Sequence, residues 1–357
     1  LSSTYAQTLS GKITDAEKNQ ANVNNIYAQA KSVRALVHFD LVKVYGMPYS
    51  FDNGASMGVP IVTTPIDPLN ASAIPGRNTV AEVYTQIVKD LTEAIDSKAL
   101  NVSKSAGDNQ GFIDEWAAKA LLTRVYIYMG KNQEALDMAK NIIENSPYSL
   151  WTKAQYANAW DKNNANHINE MIFELVNSGS DDWADREGIA YLYHEDGYAD
   201  AICTKSFVDM LAQDPSDVRL DVILPVQLKT DDNGKPTDMY KTYGDNRIFI
   251  NKFPMGSLGD MRLNNLPILR LSEVYLNAAE AAAKLNDKTS TAKYLNEIIK
   301  NRTDDTKQLV TESTATLERV LLERRKELVG EGQRFFDAMR NNETVTRYTN
   351  EDEKGWH

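Results

Sequence analysis

The residues best suited to chemistry in this sequence are rings and polar groups crowded into one short stretch. Trp183, Tyr191, Tyr193 and Tyr198 lie among Asp181, Asp182, Arg186, His194 and Asp196, with glycines between them. A flat ring can cover an apolar C–H face, while carboxylates, a guanidinium or backbone groups satisfy a rim of hydroxyls. The combination suits a polyhydroxylated ligand. Trp183, Arg186, Tyr191, Tyr193, His194 and Tyr198 are therefore the expected ligand contacts. Alternatively, the same rings pack a loop-rich segment onto a helical body. Trp151 and Trp160 flank an expected helix over 152–159, and Trp116 begins another, so these three are expected in the core.

Patterns for catalysis or metal binding are weaker. Glycoside hydrolysis needs two carboxylates at a defined separation, but among 50 acidic residues such pairs are unavoidable and carry no information. His38, His167, His194 and His357 are too scattered for a zinc site. His167 and Glu170, three apart, give only a faint metal hint. Asp231, Asp232, Asn233 and Gly234 lack the alternating ligands and closing glutamate of a calcium loop and read as a hairpin turn. Neither a nucleophile elbow nor a P-loop occurs. The chain is expected to bind rather than catalyse, with no cofactor and no metal.

One ion pair is expected inside the fold. Asp40 falls seven residues after Val33, and Arg324 seven after Leu317, each on an apolar helix face. A buried charge needs a partner, so Asp40 is expected to pair with Arg324 or Arg325. Glu327 and Glu331 belong to the same network or to the surface.

These groups need a frame, and helical periodicity supplies it at both ends of the chain. Val33, Leu36, Val37, Leu41 and Val44 share one helix face, which stops at Gly46 and Pro48. A Gly/Pro-rich loop over 48–75 follows. Thr79 and Glu82 form a capping box ahead of Val80, Val83, Tyr84, Ile87, Val88, Leu91 and Ile95. Two helix pairs come next, one turning at Gly130 and the other at Asn286 and Asp287. Small residues at the crossings give both a tetratricopeptide-like pattern. A last helix is expected from Thr316 to Gly330. The predicted fold is mostly α: a right-handed superhelical scaffold over 1–145 and 266–340, with an irregular insertion over 146–265, all one domain. Within the insertion, Met171 to Val176 reads as a strand. Three of the five tryptophans fall there, and loops on a rigid scaffold are where binding residues concentrate.

Composition narrows the partners. Of 357 residues, 42% are apolar, enough for a sizeable core. The net charge of −11, with no basic stripe, argues against nucleic acid. Cys203 is the single cysteine, so no internal disulfide forms, and it is expected to act as a small apolar residue. No run of about 18 apolar residues is present to span a membrane.

Five blocks, in order, resemble the SusD/RagB family: Ala30 to Pro48, Ile74 to Tyr84, Ala117 to Tyr128, Leu266 to Ala281 and Glu323 to Asp337. The most specific is Leu266-Pro267-Ile268-Leu269-Arg270-Leu271-Ser272-Glu273-Val274-Tyr275-Leu276. The resemblance implies a surface lipoprotein of the bacterial outer membrane that binds glycan and passes oligosaccharide to a TonB-dependent transporter. It also implies that the central stretch contributes to the ligand site. Membrane attachment would then run only through a lipid anchor. The family's lipobox cysteine and its Pro- and Asn-rich tail are not among these residues. A tetratricopeptide scaffold that binds a protein or peptide is the main alternative, and a glycosidase the third.

Overall fold

The computed structural model describes residues 20–65, 75–160, 167–177, 188–193, 197–198, 201–223, 249–253 and 263–345. Twelve α-helices and two short strands stand among them. The helices are α1 (Gln20–Tyr45), α2 (Tyr49–Asp52), α3 (Val80–Asp96), α4 (Glu115–Met129), α5 (Asn132–Asn145), α6 (Lys153–Ala159), α7 (Ile189–Tyr193), α8 (Lys205–Leu211), α9 (Leu271–Lys284), α10 (Lys288–Lys300), α11 (Leu317–Glu327) and α12 (Arg334–Arg340). The strands are β1 (Met171–Leu175) and β2 (Leu266–Arg270).

Local chemistry sets the helix ends. At α3 the Thr79 hydroxyl accepts the Glu82 N–H at 3.2 Å, and the Glu82 carboxylate accepts the Thr79 N–H at 2.8 Å. Two otherwise orphaned donors are thereby satisfied. Asp114 caps α4 through the Ala117 N–H, and Asp287 caps α10 through the Ser290 N–H. Gly130 ends α4 at φ 71°, a left-handed turn that glycine takes without a Cβ clash.

Packing follows these elements in a row. α1 lies on α3, α3 on α4, α4 on α5, and α9 fits between α5 and α10. Ala278, Ala279, Ala281 and Ala282 on α9 are fully buried, and such small side chains let helices approach on both sides. One continuous apolar core runs through the row, from Phe39 and Ile87 to Leu121, Val274 and Ile298. This is the tetratricopeptide-like scaffold.

The α1 face expected in the core is not the buried one. Val33, Val37, Leu41 and Val44 are exposed, whereas Ala28, Ala35, Phe39 and Val42 meet the core. The helix is apolar on two opposite sides, and periodicity alone cannot choose between them.

β1 and β2 pair antiparallel, Met171 with Arg270 and Leu175 with Leu266. Pro267 is tolerated because both strands of a two-stranded sheet are edges. A second, smaller core gathers Trp151, Tyr156, Trp160, Met171, Val218 and Val222. A third gathers Phe207, Leu211 and Ile223. Half-buried Cys203 packs against the third, and burial pushes its thiol up to about 12, consistent with an inert apolar role. Trp116, Trp151 and Trp160 are all buried.

Candidate functional site

The insertion is fastened to the scaffold by a buried plate of charges. Glu170 precedes β1, Arg270 ends β2, Arg302 follows α10, and Glu327 ends α11. Arg302 donates from Nε and Nη2 to the Glu327 carboxylate, both at 2.9 Å, and from Nη2 to Glu170 at 3.1 Å. Arg270 donates to Glu170 at 2.6 Å, to Glu327 at 3.0 Å and to Glu331 at 2.8 Å. Arg219 sits bidentate on Asp217 and reaches Glu323 at 2.6 Å. Lys252 donates to the Glu327 carbonyl and to Glu331, each at 2.7 Å. Burial alone would raise the Glu327 pKa. Arg302 and Arg270 instead hold it well below the usual carboxylate range.

The plate supports rings directly. The Arg302 guanidinium lies 4.3 Å from the Tyr156 ring centre, and that of Arg270 lies 5.5 Å from Trp160. Trp160 also stands edge-on to Trp151, with centroids 5.3 Å apart. Glu327 and Glu331 thus belong to a buried network, but not one containing Asp40. Asp40 has a side chain 58% exposed and pairs with Lys43 at 2.8 Å, because it lies on the exposed face of α1. Arg324 is buried, and its partners are Asp337 at 3.2 Å and Asn277 at 2.7 Å. Arg325 turns toward the Phe207 ring, 5.9 Å from its centre. The expected pairing of Asp40 with Arg324 or Arg325 is corrected accordingly.

His167 and Glu170 likewise part ways. His167 Nδ1 meets the Glu174 carboxylate at 2.6 Å, while Glu170 serves Arg270 and Arg302. Their sequence spacing therefore makes no shared metal site.

Of the expected ligand contacts, Tyr191, Tyr193 and Tyr198 are described. Trp183, Arg186 and His194 lie outside the described residues, as do Asp181, Asp182, Asp196 and the turn at Asp232 to Gly234. Tyr191 and Tyr193 belong to α7, anchored by the fully buried Ala190. The chain then folds back, and the Tyr198 N–H donates to the Tyr191 carbonyl at 2.6 Å. Gly197 permits this approach, since a Cβ there would lie 2.5 Å from that same carbonyl oxygen. The turn brings the Tyr191 and Tyr198 rings to 5.8 Å, inclined at 45°, with Tyr198 52% exposed. Leu192 is exposed beside them.

Tyr193 has a different setting. It stacks on buried Phe253 at 5.6 Å and 22°. Phe253 adjoins Lys252 of the ionic plate, and nearby Gly330, at φ 80°, spares the Ile250 side chain a Cβ at 3.0 Å. Tyr193 is thus a support for the turn, and Phe253 is the partner that sequence reasoning missed. Its only signal was an aromatic beside a lysine.

A separate groove of about 640 Å³ runs along α11, lined by Leu317, Leu321 and Leu322 with Arg319, Arg325 and Arg334 at its rim. None of the described site rings lines it. Its charges are engaged, Arg319 with Glu323 at 2.6 Å and Arg334 with Glu343 at 2.7 Å.

Residues 92–356 match the model of the SusD family. The chain belongs to that family. Residues 4–127 also match a SusD-like family described as starch-binding and associating with the outer membrane. SusD-like proteins of Bacteroides ovatus and Formosa agariphila are each 23% identical to it, over 92% and 91% of this chain. It spans only 60% and 65% of those curated relatives. A SusD superfamily structure from Bacteroides thetaiotaomicron superimposes with a TM-score of 0.81 at 38% identity, covering 96% of this chain and 72% of its own. A Bacteroides vulgatus structure, provisionally described as a sugar binding protein, gives 0.81 at 37%, with 99% and 74% covered. Membership of the SusD family accounts for the helical row and the five sequence blocks together.

Proposed function

We propose that this protein is a surface lipoprotein of the outer membrane that binds oligosaccharide and delivers it to a TonB-dependent transporter. The SusD family match supports the glycan class, and the outer-membrane description of the second matching family supports the location. The observation that carries the reading at residue level is the half-exposed Tyr198 ring, set 5.8 Å from Tyr191 on a turn that only glycine at 197 allows. Such a ring pair offers two apolar faces inclined at 45° at the surface of a well-braced insertion. Binding then needs no bond to break: the rings take the C–H faces of a sugar, and polar side chains orient its hydroxyls. Trp183, Arg186 and His194 are assigned to the same ligand.

A glycan array, read with the native protein and with Tyr198→Ala, Tyr191→Ala and Trp183→Ala, tests this. Sugar hits that weaken in these variants support the assignment. Hits indifferent to all three move the site elsewhere, and a native protein that captures no glycan points to a scaffold for protein partners.

A further inference from the structure

His38 on α1 is buried, and both of its ring nitrogens meet backbone groups. Nδ1 lies 3.0 Å from the Arg34 carbonyl oxygen, and Nε2 lies 3.2 Å from the Val62 amide nitrogen. The carbonyl can only accept and the amide can only donate, so the two neighbours fix the tautomer: Nδ1 carries the proton and Nε2 accepts. The loop that returns over α1 is held differently on either side of this bond. Before it, the partners do not titrate. The Gly58 N–H donates to the Asn78 carbonyl at 2.7 Å, the Ile61 N–H donates to the Asn78 side-chain oxygen at 3.0 Å, and Arg77 Nε donates to the Gly58 carbonyl at 2.6 Å. After it, Val62 to Pro65 are exposed, and the Thr63 carbonyl accepts from Arg34 Nη1 at 3.3 Å. Two charged groups face the ring, Arg34 on α1 and Asp90 on α3, joined to each other at 2.8 and 2.5 Å. Val59 to Pro65 bring no ionisable side chain. Burial holds the imidazole below its ordinary 6.5, although the Arg34 carbonyl and Asp90 act against it.

We propose that His38 is an acid-released latch: the strap from Val62 to Pro65 is fastened to α1 while the imidazole is neutral and comes free when it gains a proton. A proton on Nε2 would set two donors against each other at the Val62 amide and place a buried cation beside Arg34. The ring keeps its bond to the Arg34 carbonyl on its own helix, so the exposed strap is the part that gives. Its one other described hold, from Arg34 to Thr63, is long. Because the closed form disfavours the proton, the latch contributes its full stability above pH 6.5 and loses it as pH falls. In that range the balance between closed and open strap shifts by up to about ten-fold per pH unit.

Hydrogen exchange of the Val62 amide, corrected for the intrinsic pH dependence of exchange, tests this between pH 7 and pH 5. That window stays above 4.5, the ordinary glutamate value, and so leaves the ionic plate charged. Protection of Val62 should fall several-fold across it, while protection of the Gly58 amide, bonded to Asn78, stays level. In His38→Gln the pH dependence at Val62 should vanish, whether or not the glutamine amide takes up the bond, because it cannot gain a proton. The His38 ring, followed by NMR in the native protein, should titrate below 6.5. Level Val62 protection in the native protein would overturn the latch. So would an equal fall in His38→Gln, a parallel fall at Gly58, or a His38 ring that titrates at 6.5 or above.

Discussion

Arg302 and Glu327 meet through two parallel hydrogen bonds of 2.9 Å, while the remaining nitrogen of the same guanidinium holds the Trp151 carbonyl at 2.7 Å. One side chain thus fastens a scaffold helix, the end of α11, to the tryptophan that begins the insertion's own core. Removing one member of a buried ionic group leaves the opposite charges short of a partner, which costs about 3–5 kcal/mol; without Arg302, Glu170 and Glu327 would be left to share Arg270. Arg302→Met should lower stability by that amount in urea unfolding. Arg302→Met combined with Glu327→Met should cost less than the sum of the two single changes. Strict additivity would mean that the two residues act independently.

Asp40 and Arg324 should behave oppositely. Asp40→Ala removes an exposed carboxylate from Lys43, whose buried ammonium keeps its place 4.5 Å from the Phe39 ring centre, and should cost no more than about 1 kcal/mol. Arg324→Ala leaves buried Asp337 with Arg340 as its remaining cation and takes the donor from Asn277, and should cost about 3 kcal/mol. Thermal unfolding of the two variants side by side checks this, and equal losses would refute it.

Acid should loosen the plate. Burial opposes ionisation of Glu323, but Arg219 and Arg319 outweigh it and hold its pKa down to about 2, against an ordinary 4.5. Glu327 is depressed in the same direction. A carboxylate depressed in the folded state contributes its full stability above its unfolded value and loses it as pH falls through its folded value. The urea midpoint should therefore hold above pH 4.5 and decline steadily toward pH 2. Glu323→Gln should flatten part of that decline. A midpoint independent of pH across this window would contradict the assignment.

The two tyrosine settings predict a separation of binding from folding. Tyr198→Ala should leave stability within about 0.5 kcal/mol, as for other surface changes. It should weaken glycan binding on the order of ten-fold, which is about 1.4 kcal/mol. Phe253→Ala removes the buried ring beneath Tyr193 and should cost about 3–5 kcal/mol in stability. Calorimetric titration and thermal melts on both variants check the split. A Tyr198→Ala protein that melts early would make that ring structural.

Much of the scaffold was legible because its signals are local. The Thr79–Glu82 box, the Gly130 turn and the alanines of α9 each state their role within a few residues. The α1 face was misassigned because both sides of that helix are apolar, and the Asp40 pairing failed with it. The ionic plate had no local signature. Glu170, Arg219, Arg270, Arg302 and Glu327 come from five separated segments, and only the folded chain brings them together. At the ring turn, the crowding of rings named Tyr191, Tyr193 and Tyr198 alike and held no sign that Tyr193 stacks on Phe253, far along the chain.

The pairing of β1 with β2 has a consequence for how the protein is made. Met171 finds its strand partner only when Arg270 has been synthesised, and the Trp151 carbonyl waits longer still for Arg302. The helices from Val80 to Asn145 pack on one another in chain order, so they can begin to settle while the ribosome is still at work, although α5 must wait for α9 to cover its other side. The two tryptophans behind them emerge with no ionic roof above them. Through that interval the nascent chain carries its largest apolar rings uncovered, and the closing step of folding belongs to the last helices made.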